Sequence, residues 1–163
     1  MKNIYLILAV FFLISCSKEE KYNLDISTVN YDLNVETGEF KIDWYNNYKS
    51  YISFSKNEKE RLNKLIKKYS IENLKGDNYV LGKETLLMPN FNDEITLKKG
   101  DQIKSKIFIS TQVNLNNSKL NEREIEIFKF KKELFALLNK NKDFEKNMDT
   151  LKIAKKSDKR LFL

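Results

Sequence analysis

The sequence predicts an α+β fold: an antiparallel sheet with helices packed on one face and a C-terminal helical segment. Three observations predict it. Apolar and polar side chains alternate with period two over residues 31–45 and again over 94–113. Between these stretches Leu62, Leu65, Ile66 and Tyr69 fall at helical spacing. Beyond residue 120 only the helical period remains. Strands, helix, strands and then helices is the order of an α+β domain.

Each element has its own signal. Tyr31, Leu33 and Val35 alternate with Asp32, Asn34 and Glu36, and Thr37-Gly38 reads as a turn. Phe40, Ile42 and Trp44 then share one parity, which makes Trp44 a core side chain. Asn46-Asn47 is a second turn, because asparagine tolerates the left-handed backbone region. Residues 48–54 form a third strand and complete a meander with one buried and one wet face. Ser55 and Glu58 have capping-box spacing and open a helix that fades near Ser70. About fifteen residues is marginal for an isolated helix in water. Its stripe is therefore expected to pack on the sheet face bearing Phe40, Ile42 and Trp44.

Gly76-Asp77 reads as a loop, and Tyr79-Val80-Leu81 and Thr85-Leu86-Leu87 as short strands; Pro89 argues against a helix there. Residues 94–98, a turn at Lys99-Gly100 and residues 102–113 form a hairpin, with Ile103, Ile107, Ile109 and Val113 on one face. Asn121 and Glu124 again have cap spacing. The helix they open carries Ile125, Phe128, Lys132, Phe135 and Leu138 along a stripe, joined by Leu134 and Leu137. Residues 139–141 break it, and a last helix carries Phe144, Met148 and Leu151.

The first twenty residues follow a different logic. Lys2 gives a short basic start, residues 4–14 are an unbroken apolar run, and Leu13-Ile14-Ser15-Cys16 closes it. Eleven residues of helix span only about half of a hydrocarbon core. The run is too short for a comfortable transmembrane helix. The tetrapeptide resembles the lipobox of bacterial lipoproteins. That resemblance implies cleavage between Ser15 and Cys16 and acylation of Cys16, the chain's single cysteine. Residues 1–15 then form a signal peptide, 16–23 the lipidated cysteine and a tether, and 24–163 a single domain. An exported chain with one cysteine has no internal disulfide, so its core alone must hold it. Lys18, Glu19 and Glu20 resemble the surface-export signal of Bacteroidota lipoproteins, a lysine followed by two acids soon after the lipidated cysteine. Together these imply an envelope protein anchored in the outer membrane by Cys16; the triplet reads either as that export signal, with the domain on the cell surface, or as a solvated charged tether, with the domain's side left open.

Composition narrows the function. The chain holds 30 basic and 23 acidic residues. One base, Lys2, and no acid lies in residues 1–15, so the rest carries a net charge of +6. Most lysines alternate with acids, as in Asn57-Glu58-Lys59-Glu60-Arg61, the pattern of a solvated face. Lys152, Lys155, Lys156, Lys159 and Arg160 form the one unopposed cluster, read as a tail. No nucleic-acid partner is expected. There is no histidine, so the commonest general base and metal ligand are missing. The cysteine is consumed by lipidation, and the four glycines are too scattered for a phosphate loop. Neighbouring Asp93 and Glu94 point to opposite faces of a strand. Glu122, Glu124 and Glu126 sit at a helix start, where negative charge suits the dipole. Asn90-Phe91-Asn92-Asp93-Glu94 offers oxygen donors but lacks the spacing of a calcium loop. No catalytic residue, metal or cofactor is expected. Tyr45 and Tyr51 are the candidates for an exposed interaction surface, where aromatics stack on sugars or anchor a protein partner. The reading is a membrane-anchored lipoprotein with a non-catalytic binding domain. The alternative is a small carboxylate-dependent envelope hydrolase.

Overall fold

The computed structural model describes residues 21–82, 91–116 and 119–157. Residues 1–20, including Ser15, Cys16, Lys18, Glu19 and Glu20, lie outside them. So do Thr85-Leu86-Leu87, Pro89, Lys159 and Arg160. Alternation builds one seven-stranded sheet from β1 (Asn23–Ser27), β2 (Asp32–Asn34), β3 (Glu39–Ile42), β4 (Tyr48–Tyr51), β5 (Gly76–Val80), β6 (Asn92–Lys99) and β7 (Gln102–Ser110). The spatial order is β4-β3-β2-β1-β6-β7-β5. Every pairing is antiparallel except β5 with β7. Three helices, α1 (Lys56–Lys68), α2 (Glu122–Leu138) and α3 (Lys142–Ser157), cover the face carrying Leu24, Ile26, Leu33, Phe40, Leu97 and Ile107. The fold is α+β, mostly antiparallel, with its last two helices C-terminal.

The chain runs through the meander to the β4 edge, crosses by α1 and a 3₁₀ turn at Ile71–Asn73, and joins the opposite edge as β5. At the turn before β3, Gly38 has φ +77°, and an added Cβ would lie 2.1 Å from the Ile52 carbonyl oxygen. No other residue fits that approach. Asn46 and Asn47 both adopt the left-handed region, as their turn requires. Ser55 and Glu58 make a complete capping box, and so do Asn121 and Glu124.

Several elements depart from the sequence reading. The central strand β1 begins at Asn23, the last residue assigned to the tether. It contributes only two buried residues, Leu24 and Ile26, just after a charged stretch. Gly76-Asp77 opens β5 instead of a loop, because its partner β7 is distant in sequence. β3 ends at Ile42, so Trp44 lies in the following turn, half-buried, with Nε1 donating to the Asn30 carbonyl at 3.1 Å. In the β6–β7 hairpin Leu97 pairs with Ser105 but Lys98 with Ile103. Lys104 is the extra residue of a bulge, which turns Ile103 to the open face, where it is 56% exposed. The buried stripe of α2 is Ile127, Phe130, Leu134 and Leu138. Ile125, Phe128, Phe135 and Leu137 are half-buried and Lys132 is exposed. This helix is apolar around much of its circumference, so periodicity allows more than one register.

Tyr31 stacks on Phe40 at 4.9 Å, and the helix ring that meets this pair belongs to α3. Phe144 stands edge-on to Phe40 at 6.3 Å and to Tyr31 at 6.0 Å. Leu62, Leu65 and Ile66 of α1 are buried as expected. That helix meets the start of β1, where Asn63 Oδ1 accepts from the Tyr22 amide at 3.0 Å. Buried Asn141 fixes where α3 begins. Its Nδ2 donates to the Ser53 carbonyl at 2.9 Å and to Glu58 Oε1 at 2.8 Å. Its Oδ1 accepts from the amides of Asp143 and Phe144, both at 3.0 Å. Its carbonyl accepts from Glu145, the first bond of the helix. Asp143 accepts from the Ser53 amide, and the Tyr48 hydroxyl donates to Asn147.

The two α2 registers and the α3 contact are separable by stability. Phe144→Ala should cost about 3–5 kcal/mol, the usual loss for a buried aromatic. Phe128→Ala should cost about 1 kcal/mol. Equal losses in urea unfolding would contradict the packing described.

Candidate functional site

Among the described residues no helix covers the second face of the sheet, which carries the side chains that alternation turns away from the core. They form a charged ladder. Glu39 lies 3.1 Å from Lys41 and 3.8 Å from Lys49. Asp25 pairs with Lys98 and accepts from Asn34 at 2.7 Å. Glu94 pairs with Lys106 at 3.0 Å and accepts from the Thr96 hydroxyl at 3.0 Å. The hydrogen bond to Glu39 holds the Lys41 ammonium above its usual pKa, and Glu94 does the same for Lys106. These groups surround a shallow depression of about 480 Å³. Opposite charges set across neighbouring strands stabilise the sheet modestly.

Aromatic side chains stand at both margins of this face. Tyr51, opposite Glu39 on the edge strand β4, is 71% exposed. At the other edge Tyr79 stacks on Phe108 with centroids 4.9 Å apart and is 53% exposed. Tyr45 is elsewhere. It lies in the β3–β4 turn, half-buried against the core, with its ring 6.0 Å from Trp44. The structure therefore does not bring Tyr45 and Tyr51 into one patch. The sequence reading placed Tyr45 on a strand that ends three residues earlier. Tyr79 and Phe108 were missed because nothing local shows β5 beside β7.

Titratable groups also gather on the inner side. Asp93 pairs with Lys131 of α2 at 2.5 Å, both side chains being mostly buried. Burial first, and the charge of Asp93 second, push the Tyr31 phenol far above its usual pKa. These three line neither the open-face depression nor a second, larger groove of about 780 Å³. Asp93 and Glu94 do face opposite sides, as strand geometry requires. Glu94 belongs to the ladder and Asp93 to a helix–sheet ion pair. Among the described residues no group of three or more histidine, cysteine or acidic side chains is placed to hold a metal ion.

The larger groove lies where the chain enters the fold. It runs between Lys21-Tyr22-Asn23 and α1, over a floor that includes Leu24, Val35, Leu62 and Ile66. The sequence reading missed it, because it treated these first residues as a free tether.

The class these features define is an α+β domain with one covered and one open sheet face. In comparisons with family models, with curated proteins and with solved structures, nothing matches the chain.

The two tyrosines should behave differently. Tyr51→Ala should change stability by no more than about 0.5 kcal/mol, as for other exposed positions. Tyr45→Ala should cost about 1–2 kcal/mol through lost packing. A thermal melt of each variant checks this, and a larger loss for Tyr51 would show that it is structural.

Proposed function

We propose that the chain is a lipoprotein held in the outer membrane through lipid on Cys16, and that its domain is a non-catalytic binding module for a protein partner. One observation carries the reading: Leu13-Ile14-Ser15-Cys16 closes an eleven-residue apolar run behind a basic start. Two or three acyl chains on one cysteine make release from the bilayer negligible. The position of the fold agrees with this. β1 begins seven residues after Cys16, so the domain rides close to its anchor. The open sheet face, with Tyr51 on one margin, is the surface offered to a partner. Support for a non-catalytic role comes from the acids around its depression. Three of its four acids, Asp25, Glu39 and Glu94, are each tied to a lysine, an arrangement suited to a rigid surface more than to proton transfer. The resemblance of Lys18, Glu19 and Glu20 to a surface-export signal supports a domain on the outer side of the cell.

Metabolic labelling with a palmitate analogue tests the anchor. The wild-type chain should carry label, and Cys16→Ser should be an unlabelled, uncleaved precursor. A labelled, processed Cys16→Ser protein would overturn the reading. Replacing Lys18, Glu19 and Glu20 by alanine should leave labelling intact and reduce cleavage of the domain by protease added to whole cells. Equal cleavage of both proteins would reduce the triplet to a tether.

A further inference from the structure

The two concave surfaces differ in charge. The open-face depression is lined by four acids, Asp25, Asp32, Glu39 and Glu94, and three lysines. The groove at the chain entry is lined by four lysines, Lys21, Lys56, Lys59 and Lys64, and one acid, Glu60. All four of these lysines are exposed. Glu60 pairs with Lys56 at 3.9 Å. The Lys59 ammonium donates to the Glu36 carbonyl at 3.2 Å, and the Glu36 carboxylate accepts from Asn23 at 2.8 Å. The groove thus has an apolar floor and a cationic rim.

Its position limits what can reach it. Lys21 is five residues after Cys16. Even a fully extended chain spans no more than about 18 Å over that distance. If Cys16 carries the anchor, Lys21 lies within about two Debye lengths of the bilayer at physiological salt, and the α1 lysines Lys56, Lys59 and Lys64 line the same groove. A cationic rim beside the anchor is complementary to lipid phosphates.

We infer that this groove seats the headgroup region of an anionic phospholipid in the membrane that anchors Cys16. The domain then rests on the bilayer through the entry to β1 and the lysines of α1. This inference rests on the lipoprotein reading. The lysines take the phosphate, and the apolar floor takes the glycerol and upper acyl carbons. Each lysine near an anionic leaflet strengthens association roughly fivefold. Four acting together would fix orientation, where a tether alone leaves the domain free to turn.

The test uses the full lipid-modified protein, reconstituted into phosphatidylcholine vesicles with or without phosphatidylglycerol. Amine acetylation is read residue by residue by mass spectrometry. Lys21, Lys56, Lys59 and Lys64 should be modified several-fold more slowly in the anionic vesicles. Lys49, on the open face, should react equally in both. High salt shortens the Debye length to about 3 Å at 1 M and should abolish the difference. In the double variant Lys59→Glu with Lys64→Glu, protection of Lys21 and Lys56 should vanish while the melting temperature stays nearly constant. Protection that is the same in both lipids, or that extends to Lys49, would overturn the groove inference while leaving the anchor standing. Failure to incorporate into either kind of vesicle would overturn the lipoprotein reading and this inference with it.

Discussion

The side chain of Asn141 is the joint on which the packing of this fold turns. A primary amide offers two donors and an acceptor with two lone pairs. All four are engaged, by Ser53, Glu58, Asp143 and Phe144. Buried amides that are fully satisfied hold one geometry, because losing any partner leaves a polar group without water. The consequence reaches outward in two directions. Three residues further on, Phe144 covers Phe40 and Tyr31, and so closes the β2–β3 part of the sheet. On the other side Glu58 is also the return acid of the α1 capping box. Hydrogen bonds from Ser55 first, and from Asn141 as well, hold its carboxyl below the ordinary range. It therefore remains an ionised acceptor at neutral pH. One amide thus sets the start of both α1 and α3 against the end of the meander.

With the inner face closed in this way, the chain has two surfaces of contrasting character. The open face is a mixed ladder whose opposite charges lie side by side. The entry groove is cationic and sits next to the sequence that resembles a lipobox. A domain with its chain entry directed toward a bilayer leaves the rest of its surface available to partners.

Much of the fold was legible in the sequence. Both capping boxes, the asparagine turn and the inward set Leu33, Phe40 and Ile42 are local signals, and the structure follows them. What was not legible depends on partners distant in the chain. β1 has only Leu24 and Ile26 to announce it, yet it lies between β2 and β6 at the middle of the sheet. β5 begins at a glycine and becomes a strand only because β7 lies beside it. Ile103 keeps the parity of Ser105, but a bulge moves it to the other face. Asn141 was read as a helix breaker. The signal for its larger role was present, since acidic Asp143 and Glu145 follow it as they follow an N-cap. The candidate surface was half legible: Tyr51 is free, whereas Tyr45 is held in a turn.

The most direct test of the central claim compares two helix-capping asparagines by urea unfolding. Asn121 is exposed and caps α2 alone, so Asn121→Ala should cost about 1 kcal/mol. Asn141→Ala removes a cap inside the core and also the hydrogen bonds to the Ser53 carbonyl and to the charged Glu58, so it should cost about 3 kcal/mol. A loss for Asn141→Ala no greater than that for Asn121→Ala would show that the joint is an ordinary cap, and that α3 is held in place by other contacts.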